Sequence, residues 1–238
     1  TVFFLPMSES LKIAVLGDYN FTYNSHQATN LAIDHASRFL DEEINYYWIK
    51  IEEAAYFKMQ NFEKYDGVWL APGRFRNVFF INSIIDMLTQ LNIPTLVTGE
   101  GYRSMIEILI NKYSLNQNGE KLVSENLVEG NHFESVQIVP HSKEMIKLYE
   151  NHSRLELTSS RYSLYPKLIT ALQDGIVDIE AYNQMEEPEI ISLANHPFFL
   201  AMANCPQISS TREIPHPIIY TFMRASKQIN QLDGKKLA

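Results

Sequence analysis

Short apolar runs alternate with longer amphipathic segments through the first half of the chain. "LKIAVLGDY" (Leu11 to Tyr19) is nearly continuous in apolar residues and stops at a Gly-Asp turn, the pattern of a strand buried on both faces. "SHQATNLAIDHASRFL" follows, with Ala28, Leu31, Ala32, His35 and Phe39 at helical spacing and Ser25 where an N-cap belongs. "INYYWIKI", "YDGVWLAPG" and "IPTLVTG" repeat the strand pattern, whereas "VFFINSIIDMLTQLN" and "YRSMIEILINKY" repeat the helical one. This alternation predicts an α/β fold: a doubly wound, mostly parallel sheet with helices on both faces.

The second half changes character. "SVQIVP", "SRLELTSS", "GIVDIEAYN", "PEIISLAN" and "FFLAMANCP" read as strands with fewer helices between them, which predicts added antiparallel strands. "PIIYTFMRASKQINQL" closes the chain as a helix. With no linker and no internal repeat, residues 12–238 read as one domain after an N-terminal extension, residues 1–11. "TVFFLP" is apolar but short and lacks a basic flank, so Thr1 to Pro6 are expected to be an upstream extension ahead of Met7 rather than an anchor. In such sheets ligands bind beyond the carboxyl ends of the strands. Three loops, Gly17 to Ser25, Ala71 to Asn77 and Thr98 to Arg103, are therefore expected to converge.

Composition narrows the function classes. A formal charge of −8, with both signs interspersed, argues against a nucleic-acid partner. No stretch approaches the ~20 apolar residues of a membrane span. The single cysteine, Cys205, excludes an intramolecular disulfide and fits a cytoplasmic protein. No cysteine–histidine cluster and no His-Glu-x-x-His spacing is present, so neither a metal nor a cofactor is expected. His196 and His216 each precede proline and read as loop-fixing residues, while His132, His141 and His152 carry no partner spacing.

With the strands placed, the chain resembles the class I glutamine amidotransferase domain, most closely that of CTP synthase. "KIAVLGDYNFTYNSHQATNLAIDHA" is similar to that family's opening strand and helix, and "YDGVWLAPGRF" to its strand and Pro-Gly-Gly-Phe turn. "IPTLVTGEGYRSMIEI" occupies the place of the nucleophile strand, elbow and helix. "SSRYSLYPKLITALQDG" resembles the Arg-Tyr segment, and "NHPFFLAMANCPQISSTREIPHPIIYTFMRAS" the C-terminal block with both His-Pro pairs. The resemblance runs from about Lys12 to Lys227 and implies a flavodoxin-like sheet carrying an amidotransferase site.

At that site the sequence departs from the family. The family elbow reads Gly-x-Cys-x-Gly, and anchoring on Gly101 puts Gly99 at the cysteine. The terminal His-Pro-Glu falls on Cys205, Pro206 and Gln207. A glycine tolerates a strained elbow but offers no nucleophile, a thiol is not an imidazole base, and a neutral amide cannot balance an imidazolium. The resemblance therefore implies that glutamine hydrolysis by the Cys-His-Glu mechanism is lost. The oxyanion turn is changed too, reading Pro72, Gly73, Arg74, Phe75.

What the pocket retains points to binding. Gly73 keeps a backbone donor, and Arg74, Arg103 and Arg161 are candidates to hold a small carboxylate by paired hydrogen bonds. Gly101, Tyr102 and Tyr162 complete the expected lining. Glu100, beside the elbow, is the candidate general base if water rather than cysteine attacks. Two functions stay open: a pseudoenzyme that binds a small carboxylate or regulates a partner, and a hydrolase of a different small amide, nitrile or ester. A homodimer or a separate partner protein is compatible with either.

Overall fold

A computed structural model describes residues 10–73, 75–127 and 133–234. Arg74, His132 and the extension before Ser10 lie outside those residues. The parallel half begins with β1 (Leu11–Leu16), α1 (Asn24–Leu40), β2 (Ile44–Ile49) and two single-turn helices, α2 (Ile51–Ala54) and α3 (Met59–Phe62). It continues through β3 (Gly67–Leu70), α4 (Val78–Leu88), β4 (Thr95–Thr98) and α5 (Gly101–Lys112). The second half carries β5 (Val123–Leu127), β6 (Glu134–Pro140), α6 (Lys143–Leu148), β7 (Leu155–Thr158), β8 (Ser160–Leu164) and α7 (Pro166–Gln173). It ends with β9 (Val177–Asn183), β10 (Pro188–Leu193), β11 (Phe199–Met202), α8 (Pro206–Ser209) and α9 (Pro217–Gly234).

Among the described residues, nine strands form one sheet in the order β2-β1-β3-β4-β11-β10-β9-β6-β7. The first five run parallel to their neighbours, and antiparallel pairing begins at β10 and continues to β7. This is the mixed α/β sheet that the sequence predicts. The reason lies in the strands themselves: every residue of β3, β4 and β11 is buried, as expected where helices cover both faces. One core lies between the sheet and α4, α5 and α7, and the other between the sheet and α1 and α9. No helix among the described residues is long and apolar enough to cross a membrane.

Three local expectations need correction. The first helix begins at Asn24 with Tyr23 at its N-cap and no side-chain cap, so Ser25 is not the cap. Its buried stripe is Ser25, His26, Thr29, Ala32, Ile33 and Ala36, four of them small residues that let the helix lie close to the sheet. Leu31 and Phe39 face outward; Phe39 packs on Tyr220 of α9 with ring centroids 4.6 Å apart. The third concerns "SRLELTSS", which is not one strand. The chain breaks at Ser159: β7 joins the main sheet through β6, while β8 pairs with β5 in a separate two-stranded ribbon.

Candidate functional site

The three predicted loops do meet, and hydrogen bonds tie them together. After β1, the Asn20 N–H donates to His26 Nδ1 at 2.9 Å. Because Nδ1 accepts, the ring proton sits on Nε2, which donates to the Pro72 carbonyl at 2.8 Å in the loop after β3. In turn the Gly73 N–H donates to Glu100 Oε2 at 2.8 Å, in the turn after β4. Tyr19 stacks on His26 and Trp48 packs against it at 5.0 Å, so burial lowers the histidine's basicity below its ordinary value. His26 is a clamp between loops.

Gly99 is the hinge of the elbow. Its φ of +64° is the left-handed conformation that glycine adopts without penalty. A Cβ placed there would lie 2.6 Å from Pro72 Cβ and 3.5 Å from Cys205 Sγ. Any side chain at this position thus needs the Pro72 turn to retreat. Two residues on, Gly101 lets α5 approach the strands, since a Cβ there would meet Val97 at 2.7 Å and Leu70 at 2.9 Å.

Glu100 does not point to open solvent. Its second oxygen, Oε1, accepts from the Ser159 hydroxyl at 3.0 Å. Both carboxylate oxygens are therefore engaged, one by the backbone donor of the Pro-Gly turn and the other by the residue at the β7–β8 break. Ser159 has no motif of its own in the sequence, and only the break in the strand reveals it.

Cys205 is buried beside the elbow and its backbone N–H donates to the Leu157 carbonyl at 2.8 Å. Burial pushes its thiol well above the ordinary range, the Glu100 carboxylate adds to this, and a hydrogen bond with Ser159 only partly offsets it. It stays protonated and inert. Gln207 is buried, and neither its amide oxygen nor its amide nitrogen finds a partner among the described residues.

The other predicted residues separate into two groups. Tyr102 and Tyr162 form a buried stacked pair with centroids 6.1 Å apart, and the Tyr102 hydroxyl donates to the Pro188 carbonyl at 2.7 Å. Arg103 and Arg161 are held by carboxylates of this chain. Arg103 lies on the exposed side of α5 and pairs with Glu107 at 2.8 Å, one turn on. Arg161 pairs with Glu134 at 2.9 Å. The geometry brings together Gly73, Gly99, Glu100 and Cys205, and adds His26 and Ser159, which the sequence reading did not single out.

The mixed sheet with a tight elbow after its fourth strand has the fold of class I glutamine amidotransferase domains. In sequence the chain is similar to the glutaminase half of CTP synthase. It is 26% identical to the CTP synthase of Methanococcus maripaludis over 93% of this chain and 46% of that protein. It is 23% identical to the Cytophaga hutchinsonii enzyme over 97% of this chain and 46% of that protein. The chain thus spans about half the length of these curated relatives. Among solved structures, the glutaminase domain of Trypanosoma brucei CTPS, with acivicin bound, superposes with a TM-score of 0.75 at 18% identity. That match covers 92% of this chain and 94% of the solved one and speaks for the fold. No protein-family model matches the chain.

Proposed function

We propose that this chain is a non-hydrolytic relative of the CTP synthase glutaminase domain, a pseudoenzyme whose role is regulatory. One observation carries the reading: beside a glycine elbow, the chain's own Glu100 carboxylate sits on the Gly73 N–H and the Ser159 hydroxyl. A backbone N–H in the Pro-Gly turn is the donor that would stabilise a developing oxyanion, and here it is already committed to an anion. Cys205 and Gln207, aligned with the family's base and its carboxylate, supply neither group.

A second reading has specific support. The Gly73 donor already holds a carboxylate, so a small carboxylate that displaces Glu100 would meet the same partners, with Arg74 beside them in sequence. The hydrolase alternative is less well supported, because a general base needs an oxygen free to reach water and both Glu100 oxygens are engaged. The lone buried thiol is in keeping with a reducing cytoplasm. A homodimer or a separate partner protein is what regulation would act through.

The test is ammonia release from glutamine by the purified chain. No release above the blank is expected. Gly99→Cys is expected to leave the chain inactive, since the nucleophile alone restores neither base nor carboxylate and the missing groups act as a unit worth on the order of 10⁶ in turnover. Release by the natural chain, abolished in Glu100→Gln, would instead make this a hydrolase.

A further inference from the structure

A second polar cage lies under β7, against α8 and the start of α9, and the elbow reading does not depend on it. Glu156 points inward from β7 and is fully buried. Its Oε1 accepts from His216 Nε2 at 2.7 Å and from the Tyr149 hydroxyl at 3.2 Å, and its Oε2 from the Ser209 hydroxyl at 2.6 Å. His152, half-buried, sets its ring edge-on to His216 with centroids 4.6 Å apart. One ligand-capable atom from each of His152, Glu156 and His216 lies within 4.8 Å of the other two.

We infer that His152, Glu156 and His216 bind one divalent transition-metal ion of the zinc class. Two imidazoles and a carboxylate are a donor set that zinc uses where a fourth position stays open to water. At metal–ligand distances of ~2.0–2.2 Å, tetrahedral donors stand about 3.3–3.5 Å from one another. The Glu156–His216 pair, at 2.7 Å, must therefore open by roughly 0.6 Å, and His152 must close on the other two by roughly 1.5 Å at most. His152, half-buried in the segment after α6, is the member with room to move.

The surroundings suit a metal. His152 Nδ1 faces the Ser153 carbonyl at 3.0 Å, which places the proton there and leaves Nε2 with its lone pair. A backbone carbonyl on the far nitrogen is the outer-shell support that metal-binding histidines use. Burial, then the neighbouring His216, lowers the basicity of His152 and keeps it neutral, as a ligand must be. Tyr149 and Ser209 continue to orient Glu156 when the metal replaces the hydrogen bond from His216. In the metal-free chain His216 carries its proton on Nε2, because Nδ1 accepts from the Ile218 N–H at 3.2 Å. Loading moves that proton to Nδ1 at the expense of this long contact.

The experiment is titration of chelator-treated full chain with Co²⁺, followed by displacement with Zn²⁺. One ion per chain is expected, with the visible absorption of tetrahedral cobalt, and zinc should abolish that band. Glu156 and His216 are buried and their variants are prone to misfold, so His152→Ala carries the test, with circular dichroism verifying its fold. Losing an outer-shell partner already costs ~10–100-fold in affinity, so losing a ligand should weaken binding by at least about 100-fold. His141→Ala, which removes an exposed histidine set edge-on to Tyr182 and outside the cage, should leave it unaltered. Absence of binding in the natural chain would overturn the inference. So would binding of equal strength in His152→Ala, which would place the ion elsewhere.

Discussion

The elbow and the cage under β7 are built on the same unit, a glutamate accepting from a serine hydroxyl, yet they differ in what surrounds it. Glu100 is half-buried and its other oxygen takes a backbone N–H. Glu156 is fully buried and its other oxygen takes an imidazole and a phenol. Beside Glu100, glycine stands at the turn and the nearby thiol is buried and protonated. Around Glu156 two imidazoles and a carboxylate remain close together with no motif to announce them. A family's motif positions mark where its chemistry was performed; they do not mark where ligating groups now collect.

The largest expected effect separates the two cages by energy. Glu156→Ala strands a buried histidine, a tyrosine hydroxyl and a serine hydroxyl together, and breaking a buried pair in this way costs about 3–5 kcal/mol. Chemical denaturation would read this as a large drop in midpoint, or as a failure to fold. A loss below about 1 kcal/mol, the size expected at the half-buried Glu100, would mean that the cages are energetically alike.

A third carboxylate sharpens the contrast through pH. Burial raises Glu189 to about 7, and hydrogen bonds from Asn183 and Asn204 and the Arg161 charge only partly counter it. A raised carboxyl favours the folded state while it is protonated. Its contribution is therefore complete below the ordinary value of 4.5 and is lost as pH rises through about 7. The shift corresponds to roughly 3 kcal/mol across that window. Comparing thermal midpoints from pH 4.5 to 8, Glu189→Gln should flatten this decline relative to the natural chain. Parallel profiles would show that Glu189 titrates normally.

The smallest effect is expected at Arg103. Its pair with Glu107 is exposed, so Arg103→Ala should cost no more than about 0.5 kcal/mol and leave any carboxylate binding at the elbow unchanged. Weakened binding would return Arg103 to the pocket.

Much of this was legible along the chain. Fully apolar runs ending at Gly-Asp, Pro-Gly and Gly-Glu-Gly placed the parallel strands and the loops that meet beyond them. The elbow was legible because a glycine before a helix is a local signal. Arg103 shows the limit: Gly101 must face the strands, and two residues on, about 200° around the helix, a side chain points away. Ser159 was hidden because Thr158 and Ser160 continue the polar edge of a strand that in fact breaks between them. The histidine cage was invisible for another reason. His152 and Glu156 lie four residues apart, but His216 comes 60 residues later, and only the packing of α8 against β7 and α9 brings it to them.

The measurement that bears most directly on the elbow is the Gly73 amide signal in ¹H–¹⁵N NMR, followed during addition of glutamate, with glutamine turnover monitored in the same samples. The natural chain should show a strongly hydrogen-bonded Gly73 amide that glutamate does not move, and no turnover. In Glu100→Ala the amide should shift upfield and then respond to added glutamate, because the donor is free for an external carboxylate. A Gly73 amide indifferent to Glu100→Ala, or turnover of glutamine by the natural chain, would contradict the account.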